Sequence, residues 1–526
     1  MYDPTALTVL VLVGLAVVGL STVTRWTGAN GPVLLTAGGV ALSFLPATSA
    51  VRLPPELVVL LFLPALLYWE ALTTSLREIR SDLRTLMLSA VFLVVATAAT
   101  VAHLVIGLSW PVAFVLGAVV APTDATVVAA VARRLPHRQL TMLRAESLVN
   151  DGTALVIFAA GVRVATGQEQ FHPLGVLGHV ALSYGGGVAI GAVLAWLAIR
   201  ARRLAQDPLI ENGVSVLTPF VAFLLAEEIH ASGVLAVVVC GMVLSRLGPR
   251  TIRARTRVQA HAFWQVSTFL LNGALFVLVG LQLRSAVQAL TSWSLGLAAL
   301  AALLIAAVVI GTRLVWMNTV PYLVRLIDRR PSQRSRRISA RQRLPLAWSG
   351  FRGAVSLAVA LAIPLTTTNG TPFLERDLLI VITLGVILVT LIGQGLTLPA
   401  VLRHARYARD NQVEDEILRA SHRMVESALE ALPRLAAERD LPGSVVDRLR
   451  AEHEQHLHHL EAAAREDDPA DRGDEEKNLR LALLAIRRCE LLRMQADNLV
   501  DDQVVLRVQA ELDAEELRIT GAPAPD

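Results

Sequence analysis

The chain has 526 residues, of which 54% are hydrophobic and 17% charged, with a formal net charge of +4. Apolar runs of helix length recur as far as about residue 403, and the charges gather in short connecting stretches and in the last quarter, a composition that describes an all-α integral membrane protein and excludes a soluble enzyme. So small a net charge, with the basic residues set on one side of a membrane, is no nucleic-acid footprint, and two cysteines, Cys240 in an apolar run and Cys489 near the C-terminus, make no disulfide or metal framework.

Thirteen apolar runs fall near residues 5–22, 32–46, 56–73, 85–108, 111–132, 145–166, 174–199, 212–229, 231–246, 261–282, 291–324, 346–366 and 378–402. The first begins a few residues after Met1 with no positive n-region and no cleavage site behind it, and reads as a retained helix. Every second loop is basic: Arg77, Arg80 and Arg84; Arg133, Arg134 and Arg138; Arg200, Arg202 and Arg203; Arg250, Arg253, Arg255 and Arg257; then the cluster from Arg329 to Arg343. The intervening loops, such as GQEQFHP at 167–173 and ERD at 375–377, lack such clusters. The positive-inside rule therefore predicts an outside N-terminus and a cytoplasmic C-terminus, which an odd number of crossings requires. The tightest division is EIHASG at 228–233, a short outer turn between the eighth and ninth runs.

These boundaries predict a transmembrane domain over 1–403 and a helical cytoplasmic tail over 404–526, where Glu, Asp, Arg, Leu and Ala take over at helical spacing. Within the tail, EDDPADRGDEEK at 466–477 reads as an acidic turn or linker between two helical parts, and the final GAPAPD as a frayed end. The tail's histidine cluster, His453, His456, His458 and His459, reads as a solvated helix face rather than a metal site. The chain has no Walker loop, dinucleotide turn or nucleophile elbow, so ATP-driven transport and soluble catalysis find no support.

The chemistry concentrates between residues 121 and 161. A charged side chain at bilayer depth costs about 2.5–3.5 kcal/mol on insertion scales, so Asp124, Glu146 and Asp151, with Thr123, Ser147 and Asn150 beside them, predict a polar site shielded from lipid. Pro122 removes a backbone donor and disfavours helical geometry at Ala121, which predicts a broken helix at Thr123 and Asp124. Freed carbonyls and the Thr123 hydroxyl can then coordinate a small cation; a simple kink with Asp124 as its cap is the plainer reading. Glu146 and Asn150 are four residues apart, as are Ser147 and Asp151, so all four share one helical face. A carboxylate inside an apolar bundle is poorly solvated when bare, so a proton and a hard cation compete for Asp151, and that competition is already an exchange mechanism.

Three further charges lie in or near apolar runs. Glu70, at the end of LLFLPALLYWE, reads equally as an interfacial anchor beside Trp69 or as another cation ligand. Arg313, deep in the eleventh run, demands a buried acid, and Glu146 is assigned to it as a structural ion pair. Arg352, between Gly350 and Gly353, reads as a charge facing half-helix carboxyl ends in a second broken segment, with a snorkelling arginine as the alternative.

FLPALLYWEAL around Glu70, APTDATVV at Thr123 and Asp124, ESLVNDGTALV from Glu146 through Asp151, TRLVW at Arg313 and FRGAVSLAVAL at Arg352 together resemble the monovalent cation:proton antiporter-1 family, the sodium/proton exchangers of bacteria and animals. The resemblance covers the whole membrane part. It implies a thirteen-helix fold with two inverted six-helix repeats, crossed broken helices in the fifth and twelfth spans, and a homodimer in the plasma membrane whose core domain moves against a dimerisation domain. It also implies that Asp151 holds the monovalent cation or proton, with Thr123, Ser147 and Glu70 as oxygen ligands, Asp124 and Asn150 in support, and Glu146 paired with Arg313. The Asn150–Asp151 pair is similar to members that exchange one cation for one proton without net charge movement. No cofactor is implied beyond the transported sodium and protons, and the tail is similar to regulatory tails that bind a ligand or protein.

Other functions are weighed against this one. A cation channel needs a continuous wet path with weak sites, whereas the carboxylates here cluster at one depth. A solute or anion carrier of similar architecture would expose a free arginine or a larger aromatic pocket, for which 5% aromatic content leaves little material. A membrane sensor acting through its tail is a third class, tested by deleting the residues after 404.

Overall fold

A computed structural model describes residues 4–45, 58–74, 91–131, 135–168, 173–205, 207–248, 252–327, 339–407, 412–464, 470–497 and 502–520. Most of the basic clusters at 77–84, 133–134 and 329–338, and the last six residues, lie outside these. The described residues are almost entirely helical, with no strand beyond the single bridge between Thr366 and Pro372. The chain divides into two compact units, Met1–Ala408 and Arg409–Asp526.

In the first unit the helices are α1 (Pro4–Thr27), α2 (Gly31–Leu42), α3 (Leu63–Thr73, entered through a π turn at Val58–Phe62), α4 (Val91–Val101, left through a π turn at Ala102–Ile106), α5 (Trp110–Val120), α6 (Ala125–Val131) and α7 (His137–Ala165). There follow α8 (Pro173–Leu204), α9 (Pro208–Glu228), α10 (Gly233–Leu247), α11 (Ala254–Ala289), α12 (Leu295–Ile327), α13 (Ala340–Trp348), α14 (Ala354–Leu361), α15 (Arg376–Leu388, continued by a π turn at Val389–Gln394) and α16 (Gly395–Ala405). Their ends follow local chemistry: the side chains of Asn30, Asp207, Ser232 and Ser339 accept backbone N–H bonds at the starts of α2, α9, α10 and α13.

Among the described residues, eight helices are long and apolar enough to cross a membrane, and four more are apolar but only 10–17 residues long. They stop short of the thirteen runs expected, because the run at 346–366 is divided between α13 and α14, of nine and eight residues. Long apolar side chains on α1, α8 and α12, among them Leu10, Leu182, Trp196 and Leu300, point outward, as a lipid-facing surface requires.

Apolar surfaces gain little by leaving lipid for protein, so close packing through small residues holds such a bundle together. Helices α2 and α11 cross at backbone contact: a β-carbon at Gly39 would stand 2.0 Å from the carbonyl oxygen of Val277, and one at Gly280 2.1 Å from that of Thr36. Two large apolar clusters result, beside a small one of Ala226, Ala231 and Ala236. One gathers α4, α5, α12, α14 and α15; the other gathers α3, α8, α9 and α10 around Tyr68, Cys240 and Trp264. Helix α7 lies on the seam, giving Leu143, Ala154 and Phe158 to the first and Leu148 to the second.

The second unit contains α17 (Gln412–Glu438), α18 (Gly443–Ala464), α19 (Ala470–Ala496) and α20 (Asp502–Thr520). Leu484, Leu491 and Leu512 form a small core, flanked by ion pairs from Arg487 to Glu515 and from Arg488 to Asp513 and Glu516. The sequence expectation of an acidic turn or linker over 466–477 is narrowed here: residues 470–477 open α19, and 466–469 lie outside the described residues.

Candidate functional site

The site is built where two interrupted helices meet. Pro122 cannot donate to the carbonyl of Ala118, and α5 ends at Val120; residues 121–124 have no helical assignment before α6 resumes at Ala125. Asp124 makes that restart possible. Its Oδ1 accepts the Thr126 N–H at 2.9 Å, the Thr126 hydroxyl at 2.5 Å and the Val127 N–H at 3.4 Å. The second interruption covers 349–353, between α13 and α14. The backbone N–H of Asp124 donates across to the Phe351 carbonyl at 2.9 Å, so the two breaks are bonded to one another.

Arg352 is 1% exposed, and the snorkelling alternative does not hold. Its Nε donates to the Val120 carbonyl at 2.6 Å and its Nη1 to the Gly350 carbonyl at 2.8 Å, while its backbone N–H reaches the Thr390 hydroxyl at 3.2 Å. The guanidinium therefore serves the carboxyl ends of both interrupted helices, including α5, and not only those of its own segment. The glycines beside it make room rather than merely loosening the helix. A β-carbon at Gly353 would lie 2.0 Å from Asp124 Oδ2, and one at Gly350 would lie 2.6 Å from Arg313 Cδ. Asp124 thus sits against the start of α14 with one oxygen and caps α6 with the other. A negative group stands where two helix N-termini converge, and a positive group where two C-termini do.

Helix α7 closes the site. Glu146, Ser147, Asn150 and Asp151, the face given by their spacing, are 2%, 3%, 2% and 3% exposed. Ser147 donates to the Thr123 carbonyl at 2.5 Å, and Asn150 Nδ2 to the Thr123 hydroxyl at 3.2 Å, so α7 grips the first break directly. Glu146 is matched by Arg313 in a two-pronged ion pair, Nη1 to Oε1 at 2.6 Å and Nη2 to Oε2 at 3.0 Å, and Arg313 also reaches the Leu346 carbonyl. Fork geometry of this kind repays much of the desolvation of two buried charges.

Asp151 is placed differently. It faces the Thr123 backbone N–H, and the charges of Glu70, Asp124 and Arg352 all act on it, but no direct ion pair neutralises it among the described residues. Its Oδ1 and the Oδ1 of Asn150 are buried with no hydrogen-bond partner among the described residues. Two hard oxygens in this condition, beside the Thr123 hydroxyl and carbonyl, form a donor set suited to a small cation, and a carboxyl oxygen equally accepts a proton. Glu70 on α3 is half-buried and within electrostatic range of Asp124 and of Arg144 on α7.

Sequence reasoning passed over several parts of this arrangement. Thr126, two residues after Asp124, is the commonplace partner of an Asx cap and was readable. The Val120 and Phe351 carbonyls were not, since backbone acceptors leave no mark in the sequence. Arg144, two residues before Glu146, was hidden by its proximity to the end of an apolar run.

The sequence profile described as "Sodium/hydrogen exchanger, transmembrane" matches residues 9–404. An uncharacterised Na(+)/H(+) exchanger of Mycobacterium tuberculosis is 43% identical over 495 residues, covering 93% of this chain and 91% of the relative. A Na(+)/H(+) antiporter of Aphanothece halophytica is 30% identical, covering 70% of this chain and 68% of that one. A sodium, potassium, lithium and rubidium/H(+) antiporter of Bacillus pumilus is 30% identical over 76% of this chain and 62% of its own length. The solved sodium proton antiporter of Methanocaldococcus jannaschii, 20% identical, superposes with a TM-score of 0.58 over 76% of this chain and 99% of its own, a match of fold. By the extent of these matches the chain belongs to the sodium/hydrogen exchanger family, the monovalent cation:proton antiporter-1 group of secondary transporters, and is a multi-pass membrane transporter rather than an enzyme.

Proposed function

We propose that the protein exchanges sodium for protons by alternating access at Asp151. The observation that carries this reading is the contrast between the two acids of α7: Glu146 is locked to Arg313, while Asp151, like Asn150, keeps a buried oxygen without a partner among the described residues. One carboxylate that crosses with a cation or a proton, and poorly when bare, couples the two fluxes. Asn150 supplies an amide where a second carboxylate would add a charge, so the loaded site carries no net charge with either passenger and exchange is electroneutral. Thr123, Ser147 and Glu70 complete the oxygen set, with Asp124 holding the break. The name of the Bacillus pumilus relative brings potassium, lithium and rubidium into consideration beside sodium.

In this reading thirteen crossings place the N-terminus outside and the C-terminus in the cytoplasm, and the transporter works as a homodimer in the plasma membrane in pH and cation homeostasis. Residues 404–526 are a regulatory tail, open to a ligand or protein partner. The test is purified protein in liposomes with an imposed pH gradient, challenged with sodium, lithium or potassium, with and without a membrane potential. Cation-driven proton movement that ignores voltage and vanishes in Asp151→Ala is the expected result. No proton response to any of the three ions, or a voltage-driven conductance, would replace the reading with a solute carrier or a channel.

A further inference from the structure

Helix α8 is fixed to α10 at backbone distance. β-Carbons at Gly187 and Gly191 would stand 2.8 Å and 2.4 Å from the carbonyl oxygens of Ser232 and Ala236, and one at Gly186 2.7 Å from the Ala231 β-carbon. The Ser232 N–H also donates to the Ser183 carbonyl at 3.1 Å. Tyr184 stands on this platform. The face of α7 opposite keeps more distance at Gly152, where a β-carbon would meet nothing nearer than Val234 Cγ1 at 4.0 Å. Across that loose contact the Tyr184 hydroxyl donates to Thr153 Oγ1 at 2.6 Å. The Thr153 hydroxyl is itself committed to the Val149 carbonyl at 2.8 Å, so its oxygen is held in place to accept.

Thr153 is two residues from Asp151, toward the C-terminal end of α7. Beside the site Thr126 is exposed and Asp124, Glu70 and Tyr184 are half-buried, whereas Thr123, Asp151 and Thr153 are 8%, 3% and 8% exposed. Toward the C-terminal end of α7 the site is covered by the contact of Tyr184 with Thr153. We propose that Tyr184 is a positioning residue for exchange: acting through Thr153, it latches α7 to the α8–α10 pair and keeps Asp151 closed toward the C-terminal end of α7. The latch must part each time Asp151 is offered to that side. This inference rests on the exchange reading.

The test compares wild type with Tyr184→Phe, Thr153→Val and Thr153→Ser. In liposomes, apparent sodium KM is measured separately from each face. Loss of one hydrogen bond shifts a two-state population about five-fold. Tyr184→Phe and Thr153→Val are expected to lower KM on the face at the C-terminal end of α7 and raise it on the other, while Thr153→Ser, which keeps the acceptor, behaves as wild type. A residue that merely stabilised the bundle would lower melting temperature and maximal rate without dividing the two KM values.

The second readout needs no transport. With Cys240 and Cys489 replaced, Val156→Cys, one turn beyond Thr153 and buried, is labelled by an impermeant maleimide from the same face, several-fold faster when Tyr184→Phe is added. Unchanged labelling and unchanged KM values, with wild-type exchange intact, overturn the latch and leave exchange standing. Faster labelling in a protein that exchanges nothing would sink the exchange reading, and with it the latch as a device of transport.

Discussion

The break at 121–124 is opened by a proline and ends on a carboxylate, whereas the break at 349–353 is framed by glycines and carries a guanidinium. In the first, covalent chemistry makes the interruption: Pro122 has no N–H to give. In the second nothing forces the helix to stop. Gly350 and Gly353 permit the Arg313 and Asp124 side chains to occupy the space a β-carbon would fill, and Arg352 rewards the interruption by taking up carbonyls of both segments. One break is imposed and the other is held open by its neighbours, so substitutions should affect them unequally.

Arg352→Ala should produce the largest change in stability. It leaves the buried Val120 and Gly350 carbonyls without their donor, a loss of about 1–3 kcal/mol for each. Thermal unfolding in detergent should show it plainly; a melting temperature within a degree or two of wild type would mean that water reaches these carbonyls. Gly353→Ala comes next, because its new methyl carbon would lie 2.0 Å from Asp124 Oδ2 and push the breaks apart, costing about 1–3 kcal/mol and most of the exchange rate. Pro122→Ala should be milder, since it restores a donor and adds no atom to the contact. An order of severity reversed between these two would overturn the distinction between an imposed and a permitted break. The smallest effect belongs to Ser147→Ala, which removes one hydrogen bond to the Thr123 carbonyl, about 1 kcal/mol, and should weaken apparent cation affinity more than it lowers the melting temperature.

The same inequality governs what could be read from the sequence. The first break was legible because Pro122 acts on its own neighbours, and the polar face of α7 because 146, 147, 150 and 151 obey the helical period. The partnership of Glu146 with Arg313 followed from the cost of leaving either charge alone in lipid. The second break could be suspected from two glycines but not understood, because its reasons lie 232 residues away along the chain at Val120. Residues 470–477 were read as part of an acidic turn or linker because their charge and Gly473 outweighed the helical spacing that follows, though they open α19. Tyr184 gave no signal, for one hydroxyl among apolar residues does not announce which helix it will face.

The bond from the Asp124 amide to the Phe351 carbonyl has an experimental use beyond its structural one. Amides in interrupted stretches ordinarily exchange with deuterated solvent quickly, since no carbonyl four residues back restrains them. This one is restrained by a segment more than two hundred residues distant, so its protection counts how often the two halves of the fold come apart. A slow Asp124 amide that quickens during turnover would record the separation of the breaks; one that stays slow while ions are carried would mean that they travel together as a single rigid piece.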